Sequence, residues 1–86
     1  MGITMKALKP LKPVLVEWHD ILDGGGEWQD EEPIAPVTVY TAGFLMSKGP
    51  KHIVLVRDYY DHEGKRTLGG KLAIPTGCIV RIQNLK

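Results

Sequence analysis

The chain has 86 residues, a formal net charge of +1 and 43% hydrophobic residues. This length supports one domain with one modest core. The near-neutral charge excludes a global field that would draw the protein to nucleic acid or anionic lipid, and no apolar run reaches the roughly 18 residues of a membrane helix. Cys78 is the only cysteine, which excludes an intramolecular disulfide; with no secretion signal at the start, it predicts a cytoplasmic protein without a membrane partner.

The first thirteen residues predict an N-terminal arm that is extended or briefly helical. Pro10 and Pro13 remove backbone donors and favour extended backbone in the residues before them. One helical turn could form from Met5 to Leu8. We therefore expect an arm over residues 1–13 and a β domain over residues 14–86.

The first strand is predicted by alternation. Val14, Val16 and Trp18 occupy every second position, which is the period of a strand, and this places Trp18 in the core. The three glycines at 24–26 and the acidic, Pro-bounded segment 27–36 then predict a loop.

Two more strands follow this loop. The segment from Val37 to Met46 is rich in β-branched and aromatic residues and predicts a second strand, with Gly43 where it would bend or bulge. A tight connection at 48–51 leads to a third strand from His52 to Tyr59.

The last third of the chain predicts the strands that would complete a barrel. Residues 61–65 are polar with a central glycine and predict a hairpin tip, and residues 71–74 predict a short fourth strand. Ile79, Ile82 and Leu85 recur every third residue, which predicts a 3₁₀ turn passing into a final strand with an irregularity. Five strands at hairpin spacing predict a closed or partly closed barrel, with the final apolar triplet packing around Trp18 and residues 53–56.

Two segments resemble a known family. Gly43-Phe44-Leu45, a turn and then Ile53-Val54-Leu55-Val56 are similar to the first motif of the Sm-like proteins, and the apolar positions of the second are matched by Ile74, Ile79 and Ile82. The chain thus resembles the SH3-like small β-barrels, in their Sm-like branch. The resemblance implies a five-stranded barrel, ring assembly and RNA binding, although Pro75-Thr76 stands where the family has Arg-Gly.

A second resemblance is to small barrels encoded by phages. It is carried by Trp18-His19-Asp20 and by the segment from Ile74 through Pro75 and Cys78 to Ile79. The resemblance implies a phage protein.

Two groups of residues are candidates for binding a partner. Aromatic rings with neighbouring cations stack on bases and hold phosphates, so the nucleic-acid candidates are Arg57, Tyr59, Tyr60, Lys65 and Arg66. Packing at the barrel rim is the alternative role for these side chains. The acidic loop supplies the protein-binding candidates, which are Trp28, Asp30, Glu31 and Glu32.

No pattern predicts catalysis, a cofactor or a metal site. His19 and Asp20 are adjacent and would point to opposite faces of a strand, so they cannot form a hydrogen-bonded pair within it. The cluster of Asp58, Asp61, His62 and Glu63 has metal-ligand chemistry but is typical of a solvated hairpin tip. We expect Cys78 to be buried and unreactive.

The sequence therefore predicts a non-enzymatic binding module. A small barrel leaves strand edges to be paired, so we expect a homo-oligomer that pairs through strand two or three and the last strand. RNA or a protein is the expected further partner. The alternative is a phage-type regulator that binds a host protein through the acidic loop.

Overall fold

The computed structural model describes residues 8–20 and 35–86, and these residues form an all-β fold, as predicted. The elements are β1 Lys12–Asp20, β2 Val37–Lys48, β3 His52–His62, β4 Lys65–Pro75, a 3₁₀ turn at Thr76–Cys78, and β5 Ile79–Asn84. The 3₁₀ turn before the last strand is confirmed. Among the described residues, no helix is both long and apolar enough to cross a bilayer.

Strands β3 and β4 are longer than predicted. We expected strand three to end at Tyr59 and strand four to begin at Lys71, but the two strands continue in one register, from Asp58 with Gly69 to His62 with Lys65. Polar residues led us to interpret this region as a loop. A two-stranded ribbon whose side chains are mostly polar and exposed needs no apolar alternation, so its sequence does not distinguish it from a long hairpin tip.

The five strands form one antiparallel sheet in the order β4-β3-β2-β1-β5. The prediction allowed a closed or a partly closed barrel, and the closed form is wrong, because β4 and β5 are the two edges of this sheet and do not pair with each other. The last strand is an edge of the sheet, as predicted. Strands two and three are interior in the strand order, but among the described residues 37–43 of β2 pair only with β1, and 58–62 of β3 pair only with β4.

The sheet curves around one apolar core. The buried residues that form it are Val14, Val16, Ile53, Leu55 and Ile74, and packed against them are Trp18, Leu45, Ile79 and Ile82. Both edge strands contribute to this cluster, so the sheet bends enough to bring its two ends onto the same apolar residues. Burial of these side chains is the main stabilising contribution.

The predicted core is largely confirmed at the residue level. Trp18 packs against it, and its indole N–H donates to Thr41 Oγ1 at 2.9 Å, which satisfies the one polar atom of the ring. Ile79 and Ile82 also pack there. Leu85 was expected to join them but lies beyond β5 and is half exposed.

Strand β2 joins the two halves of the sheet. Residues 37–45 pair with β1, and residues 44–48 pair with β3. The register shifts between Leu45 and Ser47, so the bulge is at Met46 and not at Gly43 as predicted. Gly43 serves a close approach instead, since a Cβ atom there would lie 3.2 Å from the Val56 carbonyl oxygen.

Candidate nucleic-acid interface

All five nucleic-acid candidates lie in one extension of the sheet, which we call the distal hairpin (residues 57–70). The last pair between β2 and β3 is Phe44 with Val56, so beyond this point β3 and β4 pair only with each other in the described part of the chain. Glu63 and Gly64 both have positive φ, 50° and 76°, which is the geometry of a two-residue type I′ turn.

The hairpin separates the candidates onto two faces. Residues directly opposite in an antiparallel pair share a face, and consecutive residues alternate. Asp61 is opposite Arg66, which puts this pair on the face of Tyr59. Tyr60 and Lys65 therefore lie on the other face. Tyr59 and Tyr60 cannot form one continuous stacking surface.

Tyr59, Asp61 and Arg66 form a closed cluster, which we call the clamp. The Arg66 guanidinium donates to both carboxylate oxygens of Asp61, from Nε at 2.7 Å and from a terminal nitrogen at 2.9 Å. It also lies over the Tyr59 ring, 4.7 Å from its centroid. The Arg66 side chain is only 17% exposed, so little of it faces solvent.

The clamp also holds two other parts of the chain. A terminal nitrogen of Arg66 donates to the Lys9 carbonyl at 2.6 Å, and the Leu11 backbone N–H donates to the Tyr59 hydroxyl at 3.0 Å. The Tyr59 ring meets Phe44 edge-on, with centroids 5.1 Å apart. Tyr59 and Arg66 thus make their contacts within the chain, which fits the alternative role in packing.

The pKa shifts in the clamp follow from the same contacts. The hydrogen bond from Arg66, helped by its charge, lowers the pKa of Asp61 against an opposing effect of burial. The hydrogen bond to Asp61 raises the pKa of Arg66. Both shifts favour the ionised pair.

The remaining three candidates are exposed to solvent. Arg57 is 78% exposed, with Nε 3.3 Å from Oδ2 of Asp58, and its side chain lies over Gly70. Tyr60 is 63% exposed and Lys65 is exposed. A depression of about 150 Å³ beside Tyr60 is smaller than typical ligand sites, which begin at about 300 Å³.

Charge distinguishes the hairpin from the opposite end of β3. Between Arg57 and Arg66 the hairpin carries three basic and three acidic residues, and each arginine has a carboxylate partner. By contrast, residues 35–56 and 67–86 contain no acidic residue. The strongest local positive charge is therefore not in the distal hairpin.

The turn between β2 and β3 is rich in basic residues that have no acidic neighbours in sequence. It carries Lys48, Lys51 and His52, and Lys12 is the Cα partner of Leu45, three positions or about 10 Å along β2 from Lys48. We call Lys12, Lys48, Lys51 and His52 the basic end. We did not predict the basic end from the sequence, because we selected basic residues that lie close to aromatic residues. The lack of acidic residues over 35–56 is a sequence feature that could have indicated it.

The backbone of this turn is well fixed. The Gly49 N–H donates to the His52 carbonyl at 3.0 Å, and the Thr76 N–H donates to the Lys51 carbonyl at 2.9 Å. The second bond ties the turn to the 3₁₀ turn between β4 and β5. The lysines thus extend from a rigid base, which lowers the ordering cost of binding a ligand there.

The groups with metal or acid-base chemistry are dispersed. Within residues 8–20 and 35–86, no three His, Cys, Asp or Glu side chains are placed to hold a metal ion. Asp61 shares a hairpin face with Arg66, whereas Asp58 and His62 are on the other face. Cys78 is half-buried, which is less than we expected.

The acidic-loop candidates Trp28, Asp30, Glu31 and Glu32 lie outside the described residues, as do the glycines at 24–26 and most of the predicted helical turn at Met5–Leu8. Their predicted roles stay predictions. No protein-family model matches this chain, and neither a curated protein nor a solved structure matches it significantly.

Proposed function

We propose that this chain is a non-enzymatic binding module, Sm-like in outline, that self-associates through its two sheet edges and binds RNA at the basic end. The observation that carries this proposal is that β4 and β5, the two edges of one curved antiparallel sheet, each have a single neighbouring strand in the described part of the chain. A free edge presents unpaired backbone donors and acceptors, which a second strand satisfies.

Exposed apolar side chains on both edges support self-association. Val80 on β5 is 52% exposed and Leu72 on β4 is 39% exposed. Because the two edges are different strands, pairing β4 of one copy with β5 of the next is a heterologous contact, which generates a ring or a filament.

Light scattering on edge variants tests the assembly. Val80→Lys and Leu72→Lys place a charge on an edge, and we expect each to lower the mass of the assembly toward that of a monomer. Val54→Lys is the control, because Val54 is partly exposed but is paired on both sides, with Ser47 of β2 and Ala73 of β4. A wild-type chain that is monomeric at tens of micromolar would refute self-association.

The basic end supports RNA as the ligand, since lysines grouped at one turn, in a stretch of sequence without acidic residues, bind phosphates and release counterions. The test is binding of a labelled single-stranded RNA of about 15 nucleotides at low salt, with the salt dependence measured. Lys48→Glu with Lys51→Glu should abolish binding, whereas Lys65→Glu in the hairpin should weaken it little. If Lys65→Glu has the larger effect, the hairpin is the interface; if wild type does not bind, the RNA proposal fails.

A further inference from the structure

The distal hairpin needs support from outside itself. An isolated two-stranded hairpin is marginally stable in water, and this one has lost its pairing with β2 beyond Phe44. Its charged and polar side chains are mostly exposed, so apolar burial contributes little to holding it in place. Its direction relative to the sheet must therefore depend on a few specific contacts.

Residues Lys9–Leu11, which we call the strap, supply two of these contacts. The Lys9 carbonyl accepts from Arg66 on β4, and the Leu11 N–H donates to Tyr59 on β3. The strap thus bridges both strands of the hairpin. Both contacts use strap backbone atoms on either side of Pro10, which favours extended backbone in the residue before it.

The strap connects the hairpin to the body of the sheet. One residue beyond Leu11 the chain enters β1, whose first residue, Lys12, pairs with Leu45 of β2. We propose that Lys9–Leu11 is a conformational strap: docked on the clamp, it fixes the direction of the distal hairpin, and its release frees residues 8–11 and the hairpin together. The tip that carries Tyr60 and Lys65 is held in one direction only while the strap is docked.

One substitution removes a strap contact without changing the clamp. Leu11→Pro deletes the N–H that Tyr59 accepts and leaves Tyr59, Asp61 and Arg66 intact. Leu11→Ala is the matched control, since it trims the side chain but keeps the N–H. Tyr59→Phe deletes the acceptor from the other side and keeps the ring against Phe44. Tyr59→Phe therefore still tests the strap if Leu11→Pro disturbs the start of β1.

The experiment is amide hydrogen exchange and ¹⁵N relaxation by NMR on the full chain. We expect faster exchange, about fivefold for one lost hydrogen bond, at hairpin residues 58–69 in Leu11→Pro and Tyr59→Phe. Greater mobility at Leu8 and Lys9 should accompany it. Leu11→Ala should behave as wild type, and unchanged exchange at Val14, Val16, Ile53 and Leu55 reports an intact core.

Two results would overturn the proposal. If Leu8 and Lys9 become mobile while hairpin exchange stays at the wild-type rate, the strap does not hold the hairpin. If the Leu11 amide exchanges as slowly in Tyr59→Phe as in wild type, the Tyr59 hydroxyl does not hold the strap. Neither result depends on self-association or on RNA binding, so the strap and the proposed function can fail separately.

Discussion

The body of the sheet and the distal hairpin are held by different kinds of interaction. In the body, apolar residues from both edge strands meet in one cluster, and Ile53 and Ile74 are almost completely buried across a strand pair. In the hairpin, the clamp of Tyr59, Asp61 and Arg66 makes directional polar and cation–π contacts. Apolar packing tolerates small changes in geometry, whereas hydrogen bonds and cation–π contacts require particular atoms. Substitutions that remove one polar atom should therefore affect the hairpin most, and substitutions that change side-chain volume should affect the body of the sheet most.

The largest effect should come from the core. Ile74→Ala removes a side chain that is 0% exposed and should lower the free energy of unfolding by about 2–5 kcal/mol. Leu72→Ala, two residues away on β4, should cost less than about 1.5 kcal/mol, since Leu72 is 39% exposed. Urea unfolding followed by circular dichroism measures both. Equal losses would mean that Ile74 is not a core residue.

A smaller effect is expected where the hairpin joins the body. Gly70 has φ of +69°, and a Cβ atom there would lie 2.9 Å from the Arg57 Cβ atom. Gly70→Ala should therefore destabilise the fold by about 1–2 kcal/mol. Gly77→Ala is the control, because a Cβ atom at Gly77 would meet no atom of a non-adjacent residue within 4 Å. The same urea titration compares them, and equal midpoints would contradict the assigned backbone geometry.

The clamp should respond to pH as an acidic group does. The pKa of Asp61 is lowered in the folded protein, so the ionised pair stabilises the hairpin above the unfolded pKa. This contribution is lost as the pH falls through the lowered folded value. Hairpin amides should therefore lose protection in acid before the core does. In Asp61→Asn, protection should be weak at neutral pH and should no longer change over the acidic range.

A pH dependence that persists in Asp61→Asn would assign the effect to another carboxylate. Asp58 and Glu63 are the nearby candidates on the hairpin. Asp58→Asn is a suitable control for the first, because Asp58 pairs with an exposed arginine, Arg57, and its own side chain is 66% exposed.

The smallest expected effect is an increase in stability from a substitution at the hairpin turn. Glu63 adopts φ of 50°, which is unfavourable for a residue with a long side chain but common for asparagine. Glu63→Asn should stabilise the hairpin by about 0.5 kcal/mol, and Glu63→Ala should give no such gain. Thermal unfolding of the two variants side by side measures the difference. A loss in Glu63→Asn would show that the Glu63 side chain has a role of its own.

The candidate site was only partly predictable. The aromatic and basic candidates were selected by residue type, but Tyr60, Lys65 and Arg66 were left outside the predicted strands. The alternation that separates Tyr59 from Tyr60 depends on β3 continuing past its predicted end. The contact of Arg66 with Lys9 joins residues 57 positions apart. No local pattern encodes such a contact, because a backbone carbonyl is the same at every residue. The basic end depends on strand pairing in the same way.

The sequence by itself determined the strand character and the core. Alternation in Val14–Trp18, the apolar run Ile53–Val56 and the spacing of Ile79 and Ile82 are local signals, and burial of apolar surface acts on each of them directly. Tertiary structure alone decided that the sheet stays open at β4 and β5, and that the hairpin is tied to the N-terminal arm. Both depend on which distant backbone groups meet, and that is fixed only when the whole sheet has curved around its core.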